Sequence, residues 1–210
     1  MHLRKVKDVE EKIKEYSDIV VFEPNLKKGK WKEVFKNDNP IYLEIGMGKG
    51  KFIREHSRRE KDINFIGCEL STSMCYKSAK EVDSELTNLK IINYDAFKLE
   101  EVFEKGEIKQ IFLTFSDPWP KARHEKRRLT TDDVLNIYKS ILDKNGFIEF
   151  KTDNRELFEY SVIQFTNNNF EILELSLDLH KSKEDVITTE YEDKFRALGQ
   201  VIYFIKVKER

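Results

Sequence analysis

The segment Glu44–Gly50 has the sequence EIGMGKG and places three glycines, Gly46, Gly48 and Gly50, at alternate positions after a strand-like run. Such glycines let the chain turn tightly and let a ligand approach bare backbone. A dinucleotide-binding loop has the pattern G-x-G-x-x-G, but Lys51 stands where its third glycine would be. The observed pattern and Glu44 favour S-adenosylmethionine (AdoMet), which has an ammonium group and no pyrophosphate. The alternative is a glycine-rich turn that binds nothing.

Two acidic residues follow later strand-like runs and extend the same candidate site. Glu69 ends the second run, where a carboxylate can accept hydrogen bonds from both ribose hydroxyls of a nucleoside. Asp95 lies just beyond the third run, where it can bond to an adenine amino group. Alone, Glu69 also fits a solvated charge and Asp95 fits a turn residue. Together with the glycines, the two acids predict an AdoMet site.

The fourth strand-like run leads into the sequence SDPWP, which begins at Ser116. Ligands of open α/β sheets bind beyond the carboxyl ends of the strands, so Asp117 is expected to face the transferable methyl group. Two prolines stiffen its loop. Trp119 fits either of two roles, stacking on a base or covering the core.

A basic segment, Lys121–Arg128, follows directly and has five Lys or Arg residues and one acidic residue. A charge run is usually a solvated surface, but its position beside Asp117 predicts contact with nucleic-acid phosphates. The net charge of the chain is only −1, so nucleic-acid binding would need a local patch of this kind.

From Ile41 onward, strand-like runs alternate with amphipathic helical segments such as Ser71–Glu85 and Thr131–Lys144. The runs are Ile41–Ile45, Asn64–Glu69, Leu89–Asn93, Gln110–Phe115, Gly146–Lys151, Phe170–Leu175 and Val201–Val207. This alternation predicts an α/β domain with a parallel sheet covered on both faces. We expect residues 41–210 to form that domain and residues 1–40 to form an N-terminal extension. The long connection between the last two runs suggests a functional insertion.

Composition and the remaining residues limit the other functions. No apolar run approaches eighteen residues and the N-terminus has no signal peptide, so we expect a cytoplasmic protein with no membrane partner. Cys68 and Cys75 have neither disulfide nor metal-ligand spacing, and no His/Cys/Asp cluster predicts a metal site. His56 and His180 lack partners at useful spacing and are expected at the surface.

Four motifs in this order closely resemble the bacterial tRNA (guanine-N7)-methyltransferase family. They are the Glu44–Gly50 loop, the run Ser116–Leu129, the sequence KTDN at Lys151 and the sequence TEYE at Thr189. The run Ser116–Leu129 is by far the most specific of them. The resemblance, which covers the chain from about Gly29 onward, implies a Rossmann-like class I methyltransferase fold with a seven-stranded, mostly parallel sheet and an antiparallel last strand. It also implies AdoMet as cofactor, tRNA as partner and methylation at N7 of a variable-loop guanine, guanine 46.

The resemblance also implies roles for single residues. Glu44, Glu69, Asp95 and Asp117 match cofactor-binding acids, and Asp117 matches the catalytic residue as well. Substrate-contacting positions are matched by Lys121, Asp153, Thr189, Glu190, Tyr191 and Glu192, and RNA-contacting positions by Arg123, His124, Lys126, Arg127 and Arg128. The sequence TEYE also fits a helix capping box, and Asp153 also fits a turn. Lys5–Glu10 replaces the family's basic lead into Pro-Trp, which leaves its tRNA or subunit contacts open. We expect a monomer or a homodimer.

Guanine N7 has an available lone pair, so methyl transfer to it needs positioning more than a strong general base. Two other interpretations stay open. One is a class I methyltransferase for another RNA or a small molecule, against which the basic segment argues. The other is a non-catalytic RNA-binding module, against which the intact glycines and acidic residues argue.

Overall fold

Seven strands form one sheet in the computed structural model, which describes residues 6–210. The strands are β1 (Ile41–Ile45), β2 (Asn64–Glu69), β3 (Leu89–Asn93), β4 (Ile108–Thr114), β5 (Leu142–Thr152), β6 (Phe170–Ser176) and β7 (Tyr203–Glu209). Their order in the sheet is β3-β2-β1-β4-β5-β7-β6. The pairs from β3 to β5 are parallel, whereas β7 is antiparallel to both β5 and β6. The predicted α/β fold with an antiparallel last strand is confirmed.

Eight α-helices accompany the sheet in the described part of the chain. They are α1 (Val9–Lys12), α2 (Trp31–Phe35), α3 (Lys51–Arg59), α4 (Thr72–Lys80), α5 (Asp132–Ile141), α6 (Arg155–Asn167), α7 (Leu179–Ser182) and α8 (Glu190–Arg196). Short 3-10 helices occur at Ile13–Tyr16, Pro24–Lys27, Ala96–Glu101 and Ala122–Arg127. None of the helices described is long and apolar enough to cross a membrane.

Alternate side chains of the central strands pack into two separate cores. Ile111 and Leu113 of β4 pack with residues of α5 and α6, whereas Phe112 between them packs with Phe52 of α3. Side chains on a strand point alternately to opposite faces, so both faces of the sheet are covered. The central strands therefore need apolar residues at successive positions, and their sequences have them.

The order of the strands reverses at β1, whose neighbours are β2 and β4. A crevice opens at such a switch point, outside the carboxyl ends of the strands. The loops after β1, β2, β3 and β4 begin at this edge, and they contain the predicted cofactor and catalytic residues. The topology alone therefore brings those residues to one edge of the sheet.

Residues of the segment 6–40 pack against later parts of the chain. Val20 forms a parallel bridge with Ile91 at the outer edge of β3. Trp31 is fully buried, packs against Phe103 and donates a hydrogen bond from its indole nitrogen to the Val102 carbonyl (3.1 Å). The first five residues of the predicted N-terminal extension lie outside the described residues.

Candidate active site

The glycine loop after β1 has a backbone that requires its glycines. Gly46, Gly48 and Gly50 have φ of +76°, +56° and +75°, in the left-handed region that other residues rarely adopt. A Cβ at Gly50 would lie 2.2 Å from the Ser78 hydroxyl, whereas a Cβ at Gly46 or Gly48 would meet no atom within 4 Å. The loop therefore packs tightly at Gly50 and leaves open space beside its first two glycines.

Glu69 is bonded to the backbone on both sides of this space. Its Oε2 accepts a hydrogen bond from the Gly48 amide (3.1 Å), and its Oε1 accepts one from the Ser71 amide (2.9 Å). Ser71 is the N-cap residue of α4. The carboxylate therefore ties the glycine loop to the start of α4. A carboxylate can accept about four hydrogen bonds, so Glu69 retains capacity for ribose hydroxyls.

Glu44 is a completely buried acid two residues before Gly46. Its Oε1 accepts a hydrogen bond from the Thr114 hydroxyl (2.8 Å), while its Oε2 has no partner among the described residues. Burial raises the pKa of Glu44 to about 8, and the Thr114 hydrogen bond and the Lys151 charge act in the opposite direction. Without a partner for Oε2 this carboxyl group keeps its proton at neutral pH, whereas a bound cation would favour the ionised form. The site therefore suits a cationic group such as an ammonium.

Asp95 caps the 3-10 helix that follows β3. Its side chain accepts a hydrogen bond from the Phe97 amide (3.0 Å), as a turn residue would. Phe97 is partly exposed, and so is Leu70, which directly follows Glu69. The edge of the sheet beyond β2 and β3 thus offers apolar surface as well as acids.

The predicted catalytic residue Asp117 and two predicted substrate residues, Asp153 and Tyr191, meet at one cavity of about 550 Å³. It opens beyond the ends of β4 and β5. The Tyr191 hydroxyl donates a hydrogen bond to Asp153 Oδ2 (3.1 Å). Burial, then the nearby Asp153 and Asp117 charges, raise the pKa of Tyr191 to about 12. The phenol therefore stays protonated at neutral pH and remains a hydrogen-bond donor.

The loop that carries Asp117 has an unusual backbone on both sides of the aspartate. Phe115 has φ of +53° and Trp119 has φ of +40°, although neither is a glycine. Such conformations persist only where the surroundings hold them, and they are concentrated at functional sites. Arg128 supplies part of that support, because Nε and Nη2 donate hydrogen bonds to the carbonyls of Pro118 (3.0 Å) and Trp119 (3.1 Å).

The basic segment divides into residues that pack on the protein and residues that face solvent. Arg128 also lies over the Tyr160 ring (4.3 Å), so it holds the Asp117 loop through intramolecular contacts. Arg127 lies over the Trp119 ring (4.9 Å), and His124 packs edge-on against the same ring (5.6 Å). Lys121, Arg123 and Lys126 are exposed, and none has an ion-pair partner within residues 6–210. Contact with RNA stays a prediction for these three and equally for His124, Arg127 and Arg128.

Of the four residues in the sequence TEYE, Tyr191 lines the cavity described above. Thr189 and Glu192 form the capping box of α8, as the alternative interpretation held. Glu192 is completely buried, and its two oxygens accept hydrogen bonds from Lys151 Nζ (2.5 Å) and His180 Nε2 (2.8 Å). Unlike Glu44, it has no oxygen left without a protein partner, so this structure gives it a structural role, and its contact with substrate stays a prediction. Glu190 lies 3.9 Å from Arg54 Nη2.

Both histidines that were expected at the surface are instead packed and bonded. His180 bonds to the buried Glu192, and His56 Nδ1 lies 2.6 Å from Glu60 while its ring packs on Phe52 (4.4 Å). A hydrogen bond to a carboxylate makes partial burial of an imidazole favourable. The partner of His180 is twelve positions away in the sequence, so the local spacing did not reveal this pair. No group of residues that could hold a metal ion occurs in the described ranges.

A family model described as "Putative methyltransferase" matches residues 38–205 of the chain. A tRNA (guanine-N(7)-)-methyltransferase of Bacillus subtilis is 51% identical over 198 residues, covering 93% of each chain. The enzyme of the same name from Alkaliphilus oremlandii is 46% identical over 205 residues, covering 97% of each.

Solved structures show the same fold at much lower identity. The 16S rRNA methyltransferase KamB matches with a TM-score of 0.66 at 11% identity, covering 87% of this chain and 94% of its own. An AdoMet-dependent methyltransferase from Aquifex aeolicus matches with a TM-score of 0.58 at 11% identity, covering 96% and 98%. At such identities the likeness concerns the fold alone.

Proposed function

The chain belongs to the tRNA (guanine-N7)-methyltransferase family, and we propose that it transfers the methyl group of AdoMet to N7 of guanine 46 in the tRNA variable loop. The observation that carries this proposal is the convergence of Asp117, Asp153 and Tyr191 on one cavity beyond β4 and β5. The glycine loop ends at the same edge of the sheet, beyond the adjacent β1. The site for the methyl donor and the cavity for the acceptor base are therefore neighbours at one edge of the sheet.

The residues around the glycine loop fit AdoMet, which supplies a methyl group on a positively charged sulfur. The unpartnered Oε2 of Glu44 accepts a hydrogen bond from the ammonium group, and Glu69 accepts hydrogen bonds from the ribose hydroxyls. Asp95 accepts a hydrogen bond from the adenine amino group. The exposed side chains of Leu70 and Phe97 supply apolar surface for the adenine ring. The open space beside Gly46 and Gly48 lets backbone and ligand approach closely.

In the acceptor site, the protein positions the guanine and stabilises charge. Holding N7 in line with the methyl group and its sulfur contributes roughly 7–11 kcal/mol in favourable systems. Positive charge moves onto the guanine ring during transfer, and the carboxylate of Asp117 stabilises it. Asp153 accepts hydrogen bonds from the N1–H and amino edge of the base. The protonated Tyr191 hydroxyl holds Asp153 in place for this contact.

The exposed side chains Lys121, Arg123 and Lys126 contact the tRNA near its target nucleotide. Lys121 is nearest to the Asp117 loop in sequence, so we assign it to the target nucleotide and the other two to phosphates. Thr189 and Glu190 directly precede the cavity residue Tyr191 in the sequence, and they remain candidate substrate contacts. The target base leaves its tertiary pairing to reach the cavity, as bases do in other enzymes that modify nucleic acids.

Methyl transfer from labelled AdoMet to unmodified tRNA transcripts tests this function. We expect incorporation into a transcript with guanine 46 and none into a matched transcript with adenine at that position. A fragment of 16S rRNA serves as the second acceptor, because the structural neighbours include enzymes that act on it. Labelling of the rRNA fragment, or equal labelling of both tRNA transcripts, would contradict the proposal.

A further inference from the structure

Helix α8 carries Tyr191 into the acceptor cavity, yet it is short and buries little of its own surface against the rest of the protein. It is seven residues long, Glu190–Arg196, and Glu192 is its one buried residue. Helices much shorter than about twelve residues are unstable alone in water, so external contacts must fix its position. The long connection that precedes it contributes only the four-residue α7 as regular helix.

The first contacts come from α3, the helix that begins directly after Gly50. Lys51 forms an ion pair with Asp193 and donates a hydrogen bond to the Thr188 hydroxyl (3.1 Å). Arg54, one turn further along α3, lies 3.9 Å from Glu190 and donates a hydrogen bond to the Lys49 carbonyl (2.5 Å). Arg54 thus connects the glycine loop with the first residue of α8.

A third contact comes from the end of β5. Lys151 Nζ donates hydrogen bonds to Glu192 (2.5 Å) and to the Ile187 carbonyl (3.0 Å), and it lies over the Phe52 ring of α3 (4.5 Å). Lys151 pairs in register with Thr114, whose hydroxyl is bonded to Glu44. A buried cation needs such partners, because water is not available to it.

We propose that Lys51, Arg54 and Lys151 are positioning residues for methyl transfer, which fix α8 and its Tyr191 relative to the glycine loop. We call these three residues and their acidic partners Glu190, Glu192 and Asp193 the α8 latch. Lys51 and Arg54 come from α3, which begins at the glycine loop, Lys151 comes from the end of β5 beside the acceptor cavity, and all three acids lie on α8. The latch therefore sets the distance between the methyl donor and the acceptor cavity. This inference rests on the proposed function.

The ion pair between Lys51 and Asp193 is the exposed part of the latch, so it can be changed without disturbing buried side chains. We expect Lys51→Glu to lower kcat for tRNA methylation about ten-fold, because it places like charges opposite each other and displaces Tyr191. The KM for tRNA and the Kd for AdoMet, by calorimetry, should stay within about two-fold. Asp193→Lys should have the same effect, and the double variant Lys51→Glu/Asp193→Lys should recover kcat to within about two-fold of the wild type.

Arg58→Glu is the matched control, because it breaks an ion pair of the same helix that does not involve α8. Arg58 pairs with Asp83, and its side chain is 37% exposed against 31% for Lys51. The control should leave kcat unchanged. Wild-type kcat in Lys51→Glu, or no recovery in the double variant, would overturn the proposal. Parallel losses of kcat, AdoMet affinity and Tm would also overturn it, since they indicate a general structural role.

Hydrogen exchange separates this proposal from the proposed function. In Lys51→Glu, amides of residues 187–196 should exchange at least several-fold faster than in the wild type, while those of α4 should not change. A wild-type protein that methylates no tRNA would refute the proposed function, and the exchange result would still decide whether the latch holds α8. Unchanged exchange across residues 187–196 would refute the latch.

Discussion

Replacing the buried Glu44 by glutamine should make the protein more stable without AdoMet and weaken its binding of AdoMet. In the folded protein burial raises the pKa of Glu44 to about 8, compared with 4.5 for an unperturbed glutamate. The folded state therefore keeps a proton that the unfolded chain releases, and the free energy of unfolding falls as the pH rises from 4.5 to 8. A tenfold change in proton affinity is about 1.4 kcal/mol, so the loss reaches about 5 kcal/mol by pH 9.

Glu44→Gln keeps the size of the side chain and cannot ionise, so the variant should escape this loss. We expect similar Tm values for wild type and variant near pH 5. At pH 9 the Tm of the variant should be higher by roughly 10–20 °C, since about 1 kcal/mol corresponds to 2–4 °C in a domain of this size. The Kd for AdoMet should rise by roughly 10–100-fold, the effect of losing a charged hydrogen bond.

Thermal unfolding from pH 5 to pH 9 and calorimetry with AdoMet measure both effects. The matched control is Glu85→Gln, the same substitution at an exposed position, which should change neither quantity. A difference in Tm between wild type and Glu44→Gln that does not grow with pH would refute the reasoning about burial. Unchanged AdoMet affinity would refute the assignment of Glu44 to the ammonium group.

Further substitutions test single assignments. Asp117→Asn should leave AdoMet binding intact and slow methyl transfer by about ten-fold or more in single-turnover assays; a wild-type rate would make Asp117 structural. Glu69→Ala should weaken AdoMet binding by about 1–3 kcal/mol in calorimetry, and unchanged affinity in a folded variant would remove its cofactor role. Arg123→Ala with Lys126→Ala should reduce the slope of log affinity for tRNA against log salt by about 1.4–1.8, whereas an equal slope would indicate a solvated surface. Arg128→Ala should leave that slope unchanged and lower kcat, because the Asp117 loop loses its support. A smaller slope with unchanged kcat would indicate instead that Arg128 contacts RNA.

The sequence was sufficient to predict the sheet, because buried parallel strands are continuous apolar runs bounded by loops. The bounds of β1, β2 and β3 were predicted to the residue. The last strand was predicted two residues too early, because Val201 continues the apolar run without belonging to the paired strand. The helices α4 and α5 end earlier than their amphipathic patterns, since β5 already begins at Leu142 and the chain after Lys80 enters turns.

The convergence of site residues was also predictable, since the carboxyl ends of parallel strands meet at one edge. What the sequence could not separate was which members of a motif face the cavity and which support it. Glu192 and Tyr191 are adjacent, yet only the structure shows that Lys151, 41 positions away, holds Glu192 in the core. Arg128 likewise resembles its basic neighbours until its contacts with Pro118 and Tyr160 are seen. Such roles depend on long-range pairing, which local patterns do not encode.

The most direct test of the proposed function replaces the nucleophilic atom itself. A tRNA with 7-deazaguanine at position 46 has a carbon in place of N7 and keeps the shape and the pairing edge of guanine. In the presence of AdoMet this tRNA should bind as tightly as the matched guanine tRNA but accept no labelled methyl group, while the guanine tRNA should yield 7-methylguanosine by mass spectrometry. Transfer of label to the 7-deazaguanine tRNA at a comparable rate would contradict N7 as the acceptor.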